Sequence, residues 1–222
     1  MTTLVAHASV GDLPDPVLPK LGKVAVEKRR RPLTVLFGFF IAIIVFTTGS
    51  RWPQGGGGRE VLFLVGMLLA CVGAFGRIWS NLFISGYKSK QLVMTGPYSL
   101  CRNPLYFFSA IGMVGVGLTT ETLSVPALFI VFFAIYYPMI IEREESRLLI
   151  RHGDAFADYC CRVPAFWPQF RLYEEPEVYT MMPRAMRKNI SDAFWFIALA
   201  AIVHTEAHLS ALSGLPTLVN LW

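Results

Sequence analysis

Five apolar stretches, separated by polar or Pro/Gly-rich segments, organise the chain: residues 33–48, 61–84 (interrupted by Arg77), 105–118, 123–141 and 194–212. A helix that crosses a bilayer needs about 17–25 predominantly apolar residues. The second and fourth stretches meet that length. The first and third fall short of it, and their ends are open to extension. Only Thr119, Thr120, Glu121 and Thr122 separate the third from the fourth, which predicts an antiparallel helical hairpin. The pattern continues past 141 through Glu142–Ile150 without a breaker until Gly153, so the fourth helix should run on beyond its apolar part and stop there.

Composition agrees with lipid as part of the solvent. Of 222 residues, 54% are hydrophobic and only 16% charged, against about 25% charged in an ordinary soluble domain. The net charge of +5 is not a nucleic-acid signal, because the basic residues cluster beside apolar stretches. Lys20, Lys23 and Lys28–Arg31 precede the first stretch; Lys88, Lys90 and Arg102 lie between the second and third. Arg143, Arg147, Arg151, Arg162, Arg171, Arg184, Arg187 and Lys188 follow the fourth, whereas the opposite connections hold only Arg51 and Arg59. The positive-inside rule therefore predicts a cytoplasmic amino terminus, a cytoplasmic second-to-third loop and a cytoplasmic 142–190 segment, with Trp222 on the far side. The expected fold is all-α: a polytopic membrane protein of about five transmembrane helices. Its parts are a flexible basic arm (1–32), two membrane helices (33–87), a core containing the hairpin (88–170) and an extension with a further helix (171–222). The four cysteines, Cys71, Cys101, Cys160 and Cys161, lack zinc-site spacing and read as reduced thiols.

Three blocks carry candidate chemistry. In the first, Gly96-Pro97 signals a turn before Tyr98, and Asn103-Pro104 reads as an N-cap followed by proline at the first helical position. The helix would start with free backbone N–H groups, which attract a carboxylate or phosphate, and Arg102 would add a cation. Tyr98 and Tyr106 flank that corner. A bland interfacial turn with an aromatic belt and a snorkelling Arg explains the same residues. In the second block, Arg143, Arg147 and Arg151 share one helical face, as a solvated positive-inside stripe would. The adjacent Glu144-Glu145 pair is harder to explain that way, because carboxylates at a membrane surface are costly unless paired or functional. The third block, Asp154 to Trp167, reads as a short amphipathic helix and an aromatic, proline-stiffened turn holding Tyr159, Arg162 and Phe166. It either lies on the bilayer or covers a pocket.

In order and spacing, Gly96-Pro97-Tyr98, Arg102-Asn103-Pro104-Leu105-Tyr106, Glu144-Glu145, Leu148, Gly153, Tyr159 and Arg162-Val163-Pro164 resemble the isoprenylcysteine carboxyl methyltransferase family, within the wider phospholipid methyltransferase group. The likeness covers roughly 88–168. It implies S-adenosyl-L-methionine as cofactor, bound in a cytoplasm-facing cavity by Gly96, Pro97, Tyr98, Arg102, Asn103, Pro104, Tyr106, Glu144, Glu145 and Leu148. Within it, Arg102 and Asn103 would face the methionine carboxylate, and Glu145 or Glu144 the positively charged end. The resemblance also implies a lipid-like or prenylated substrate entering from the bilayer, with membrane lipids as the other partner and no nucleic acid. Catalytic roles would fall to Arg143, Glu145 and Arg162, the arginines holding the acceptor. The family's usual His is Asn103 here, which cannot titrate near neutral pH. An acceptor already ionised, a carboxylate, then fits better than an amine. Amine N-methylation, an NADPH-dependent reductase of the sterol-reductase kind and a non-catalytic scaffold are the competing readings.

Other features are weaker. His204 and His208 have i, i+4 spacing but no evident third ligand, so no metal site is expected. Gly55–Gly58 lacks the Lys-Ser/Thr of a phosphate loop and reads as a flexible turn. Arg77 reads as a snorkelling side chain or as a partner for an acidic lipid head group.

Overall fold

The structure is a computed structural model, and it describes residues 48–50, 57–85, 91–178, 181–213 and 219–221. The basic arm, nearly all of the first apolar stretch, and Lys88 and Lys90 lie outside these residues. Among the described residues six α-helices follow one another: α1 Gly57–Ile84, α2 Pro97–Leu100, α3 Pro104–Leu118, α4 Ser124–His152, α5 Asp154–Arg162 and α6 Pro183–Ser213. A 3-10 turn covers Phe170–Leu172. The one departure from an all-helical fold among the described residues is a parallel pairing of two three-residue strands, β1 Thr48–Ser50 and β2 Val219–Leu221.

α1 and α4 are long and apolar enough to cross a membrane. Their bare faces carry Leu64, Leu68, Phe75, Ile130, Val131 and Ile135, more than half exposed for each. α3 is apolar but has only 15 residues, about 22 Å at 1.5 Å per residue and short of a bilayer core of about 30 Å. It packs most closely with α1, and small residues make that possible. A Cβ on Gly66 would sit 2.8 Å from the Gly115 carbonyl oxygen, and one on Gly115 would lie 2.6 Å from the Gly66 oxygen. The two backbones touch there, which lets weak dispersion contacts add up where lipid offers no hydrophobic gain.

The helices alternate in direction. At one end, Glu121 in the α3–α4 turn pairs with Arg59 in the first turn of α1, and its other oxygen lies 3.4 Å from His204 Nδ1 late in α6. The His204 ring stacks on Phe63 at 3.8 Å. At the other end, the Asn189 amide of α6 donates to Ser85 Oγ, 3.1 Å away just past α1. α6 is therefore antiparallel to α1 and shares its core, where Ala70, Val116 and Ala200 meet.

Three expectations change. α6 begins at Pro183, well before the apolar stretch starting at 194, because its first turns pack through buried Met186 rather than facing lipid. Gly57 and Gly58 belong to the first turn of α1 and are not a turn before it. Arg77 points into the bundle: its guanidinium donates to Ser109 Oγ and lies 5.4 Å over the Phe196 ring. Ser109 in turn donates to the Leu105 carbonyl at 2.6 Å, so a hydrogen-bonded hydroxyl and an aromatic face meet the cation.

Candidate functional site

The three motif blocks meet at the Ser85 end of the bundle. Gly96 adopts φ +61, a left-handed conformation that glycine takes without strain, and a Cβ there would meet the Phe83 ring. From this turn α2 presents Tyr98 inward. α3 then starts at Pro104, whose missing N–H costs nothing at a first helical position. α4 runs past its apolar part to Gly153, where φ +53 ends it and turns the chain into α5.

Arg102 is the clasp. Its Nε and Nη2 donate to the two oxygens of Glu145 at 2.8 and 3.0 Å, a bidentate pair. Its Nη1 donates to the carbonyls of Cys160 at 3.0 Å and Val163 at 2.8 Å. Burial works against the guanidinium charge, but the hydrogen bond and charge of Glu145 outweigh it, so Arg102 stays ionised more firmly than usual. Asn103 Nδ2 donates to the same carboxylate at 3.1 Å and to the Ala165 carbonyl at 3.0 Å. The amide therefore does not cap α3; the Asn103 backbone carbonyl accepts from Tyr106 and Phe107 instead. The Arg102 N–H donates to the Pro164 carbonyl at 2.9 Å and closes the loop.

Glu144 faces elsewhere. It accepts from the Tyr106 hydroxyl at 2.7 Å, and the Tyr106 ring packs 5.1 Å from Tyr137. Tyr98 lies buried close by, and its hydroxyl has no hydrogen-bond partner. Burial, then the neighbouring Tyr159 and the Glu144 charge, hold its pKa well above the ordinary tyrosine value. Tyr159, itself buried, donates to the Tyr98 carbonyl at 2.6 Å and fixes that residue's backbone. Leu148 packs against the small core of Phe156, Tyr159 and Val163.

The sequence-derived site residues thus divide. Gly96, Pro97, Tyr98, Arg102, Asn103, Pro104, Tyr106, Glu144, Glu145 and Leu148 gather at one corner. Arg143 and Arg162 are exposed, and Arg162 donates to the Asp158 carbonyl of its own helix. Arg102, expected to face an external carboxylate, is engaged by Glu145; Glu145, expected to face an external cation, is engaged by Arg102. The i, i+1 pair at Glu144-Glu145 projects in two directions, which separates a carboxylate paired with Arg102 from one that accepts from Tyr106 and lies near Tyr98. Sequence reasoning gave no role to Ala165 or Glu174, and placed Phe166 only in an aromatic turn that either lies on the bilayer or covers a pocket. The Ala165 and Glu174 backbone groups and the Phe166 ring complete the corner, and backbone partners leave no mark in the side-chain pattern. His204 reaches Glu121, but no group of three or more metal-ligating side chains occurs among the described residues.

A family model for phospholipid methyltransferases matches residues 61–153, which run from α1 to the end of α4. A nickel-cobalt-cadmium resistance protein, NccN, of Alcaligenes xylosoxydans xylosoxydans is 37% identical over 82% of this chain and 84% of its own length. A cobalt-zinc-cadmium resistance protein, CzcN, of Cupriavidus metallidurans is 39% identical over 77% of this chain and 78% of its own. No solved structure gives a significant match. With both relatives aligned over more than three quarters of its length, the chain belongs to the family of these two metal-resistance proteins, and its residues 61–153, which hold the two motif-bearing helices, match the phospholipid methyltransferase domain.

Proposed function

We propose that the chain is an S-adenosyl-L-methionine-dependent methyltransferase that esterifies the carboxylate of an isoprenoid or other lipid-like acceptor. The observation that carries this reading is the buried Tyr98 hydroxyl, unpartnered beside the Glu144 carboxylate where the three motif blocks meet. A buried hydroxyl without a partner costs about 1–3 kcal/mol, a cost a ligand removes. A carboxylate, a phenol and an aromatic wall suit a sulfonium, a cation without hydrogen-bond donors of its own. When bound, the cofactor supplies an electrophilic methyl group. Glu144 offsets its positive charge, Tyr106 fixes the orientation of Glu144, and Tyr98 offers a hydrogen bond to a polar atom of the nucleoside or the acceptor. The Arg102–Glu145–Asn103 clasp is a positioning element: it holds the end of α2 and the start of α3 against α4. Arg143 and Arg162 supply positive charge at the exposed rim, which favours an anionic acceptor.

The acceptor class follows from proton bookkeeping. A carboxylate with an ordinary pKa near 4 is ionised at neutral pH and needs no base. An amine needs one. Asn103 cannot titrate, and its amide is committed to Glu145 and Ala165. The family match to phospholipid methyltransferases keeps amine N-methylation as the second reading. The names of the two relatives suggest that the reaction serves cells under metal stress, by changing a membrane component rather than by holding the metal. Incubating the protein with methyl-labelled cofactor and a lipid extract separates the readings. Base-labile label released as methanol marks a carboxyl ester; base-stable label marks a methylated amine and overturns the carboxylate assignment. Hydride transfer from NADPH without methyl transfer would overturn both.

A further inference from the structure

The segment from Pro164 to Glu174 has two sides. Its inner side is backbone, bonded to the site: the Pro164 carbonyl accepts from Arg102, the Ala165 carbonyl from Asn103, and the Gln169 N–H donates to the Leu100 carbonyl at 3.0 Å. Gly96 N–H donates to the Glu174 carbonyl at 2.7 Å, and the Glu174 N–H donates to Ser99 Oγ at 2.9 Å. The segment is therefore fixed in place. Its outer side exposes three aromatic rings, set among the exposed Gln169, Arg171 and Glu174. Trp167 is 74% exposed, Phe170 80% and Tyr173 43%. They are spaced by three, and the 3-10 turn at Phe170–Leu172 brings Phe170 and Tyr173 onto one side, since residues i and i+3 eclipse in that geometry.

Isolated exposed aromatics are unremarkable, but a row of three on an anchored segment is a patch with a purpose. Its height relative to the bundle identifies what covers it. The Trp167 ring meets Phe107, in the first turn of α3, at 6.2 Å. The Tyr173 ring meets Trp79 at 6.0 Å, about 8 Å from the end of α1 at 1.5 Å per residue. The row thus lies at the level where α1 and the apolar part of α4 end, because the neighbouring Phe166 ring lies 6.5 Å from Tyr137, four residues before Ile141. That level in a bilayer is the boundary between head groups and acyl chains, where Trp and Tyr concentrate. We infer that residues 164–174 form an interfacial belt, with Trp167 and Phe170 seated in lipid and the opposite backbone edge holding Arg102, Asn103 and Gly96. Contact with the bilayer surface then braces the site directly. The inference rests on the membrane reading of α1 and α4, and it stands whether or not the site transfers methyl groups.

The test uses the full chain in phosphatidylcholine vesicles and follows tryptophan emission. The emission that Trp167→Phe removes should be blue-shifted, quenched by lipids brominated near the head group and protected from aqueous acrylamide. Phe170→Asp should weaken that lipid quenching, and Phe170→Leu should retain it. Emission from Trp167 that is quenched by acrylamide and insensitive to brominated lipid would overturn the proposal. So would equal lipid quenching in the Asp and Leu variants.

Discussion

At the scale of single residues, the two neighbouring glutamates show how position divides labour. Arg102 and Glu145 are a mostly buried pair, with side chains 13% and 21% exposed. Removing one partner of such a pair leaves a charge without compensation, which costs about 3–5 kcal/mol when burial is complete. With some exposure remaining, Arg102→Ala is expected to lower stability by about 3 kcal/mol, read as a fall in the unfolding midpoint in detergent. Arg147→Ala, on the exposed side of α4, should stay within about 0.5 kcal/mol of wild type. Equal midpoints for the two variants would contradict the clasp. Cys101 gives a second test. It is fully buried, and burial pushes its thiol from an ordinary value of 9.0 up to about 11. The folded state favours the neutral thiol, so its stabilising share is present below the unfolded value and lost as pH rises towards the folded one. Denaturant midpoints should decline between pH 9 and 11, and Cys101→Ala should flatten that decline by about 2–3 kcal/mol. The residue types at the corner were legible in the sequence, but the partners were not. Nothing in Arg102-Asn103 or Glu144-Glu145 says that the arginine meets the second glutamate and Tyr106 the first.

At the scale of elements, glycine placement decides how closely α1 and α3 approach. At Gly115, a Cβ would run into backbone atoms of Gly66 and Ala70, which no side-chain rotation relieves. Overpacking of this kind costs about 1–3 kcal/mol or more. At Gly153, nothing lies within 4 Å of an added Cβ, and the cost is that of the positive-φ backbone alone, about 1–3 kcal/mol with no backbone clash added to it. Gly115→Ala should therefore lower the thermal midpoint more than Gly153→Ala; the reverse order would mean that α1 and α3 do not pack as described. The α3–α4 hairpin and the stop at Gly153 were readable, because Thr119–Thr122 and glycine are local signals. The true start of α6 was not. Its first turns are held by tertiary contacts from Met186 and Asn189 to the end of α1, and apolar periodicity does not register such contacts.

At the scale of the whole molecule, four helices alternate in direction so that Arg59, Glu121 and His204 gather at one end and the motif corner at the other. The sequence expectation of a cytoplasmic motif corner yields a direct check: a reporter inserted near Arg171 should respond in the cytoplasm, and one fused after Trp222 should respond on the far side. Reports from the same compartment would break the alternation. The central claim, that the corner around Glu144 and Tyr98 binds S-adenosyl-L-methionine, is tested most directly by calorimetric titration of the cofactor into the detergent-solubilised chain. Wild type should bind. Glu144→Gln should bind about ten- to a hundredfold more weakly, the scale of one lost hydrogen bond to a charged group. Tyr98→Phe should weaken binding less, and Arg147→Ala should match wild type. Wild type that fails to bind, or Glu144→Gln with undiminished affinity, would contradict the account.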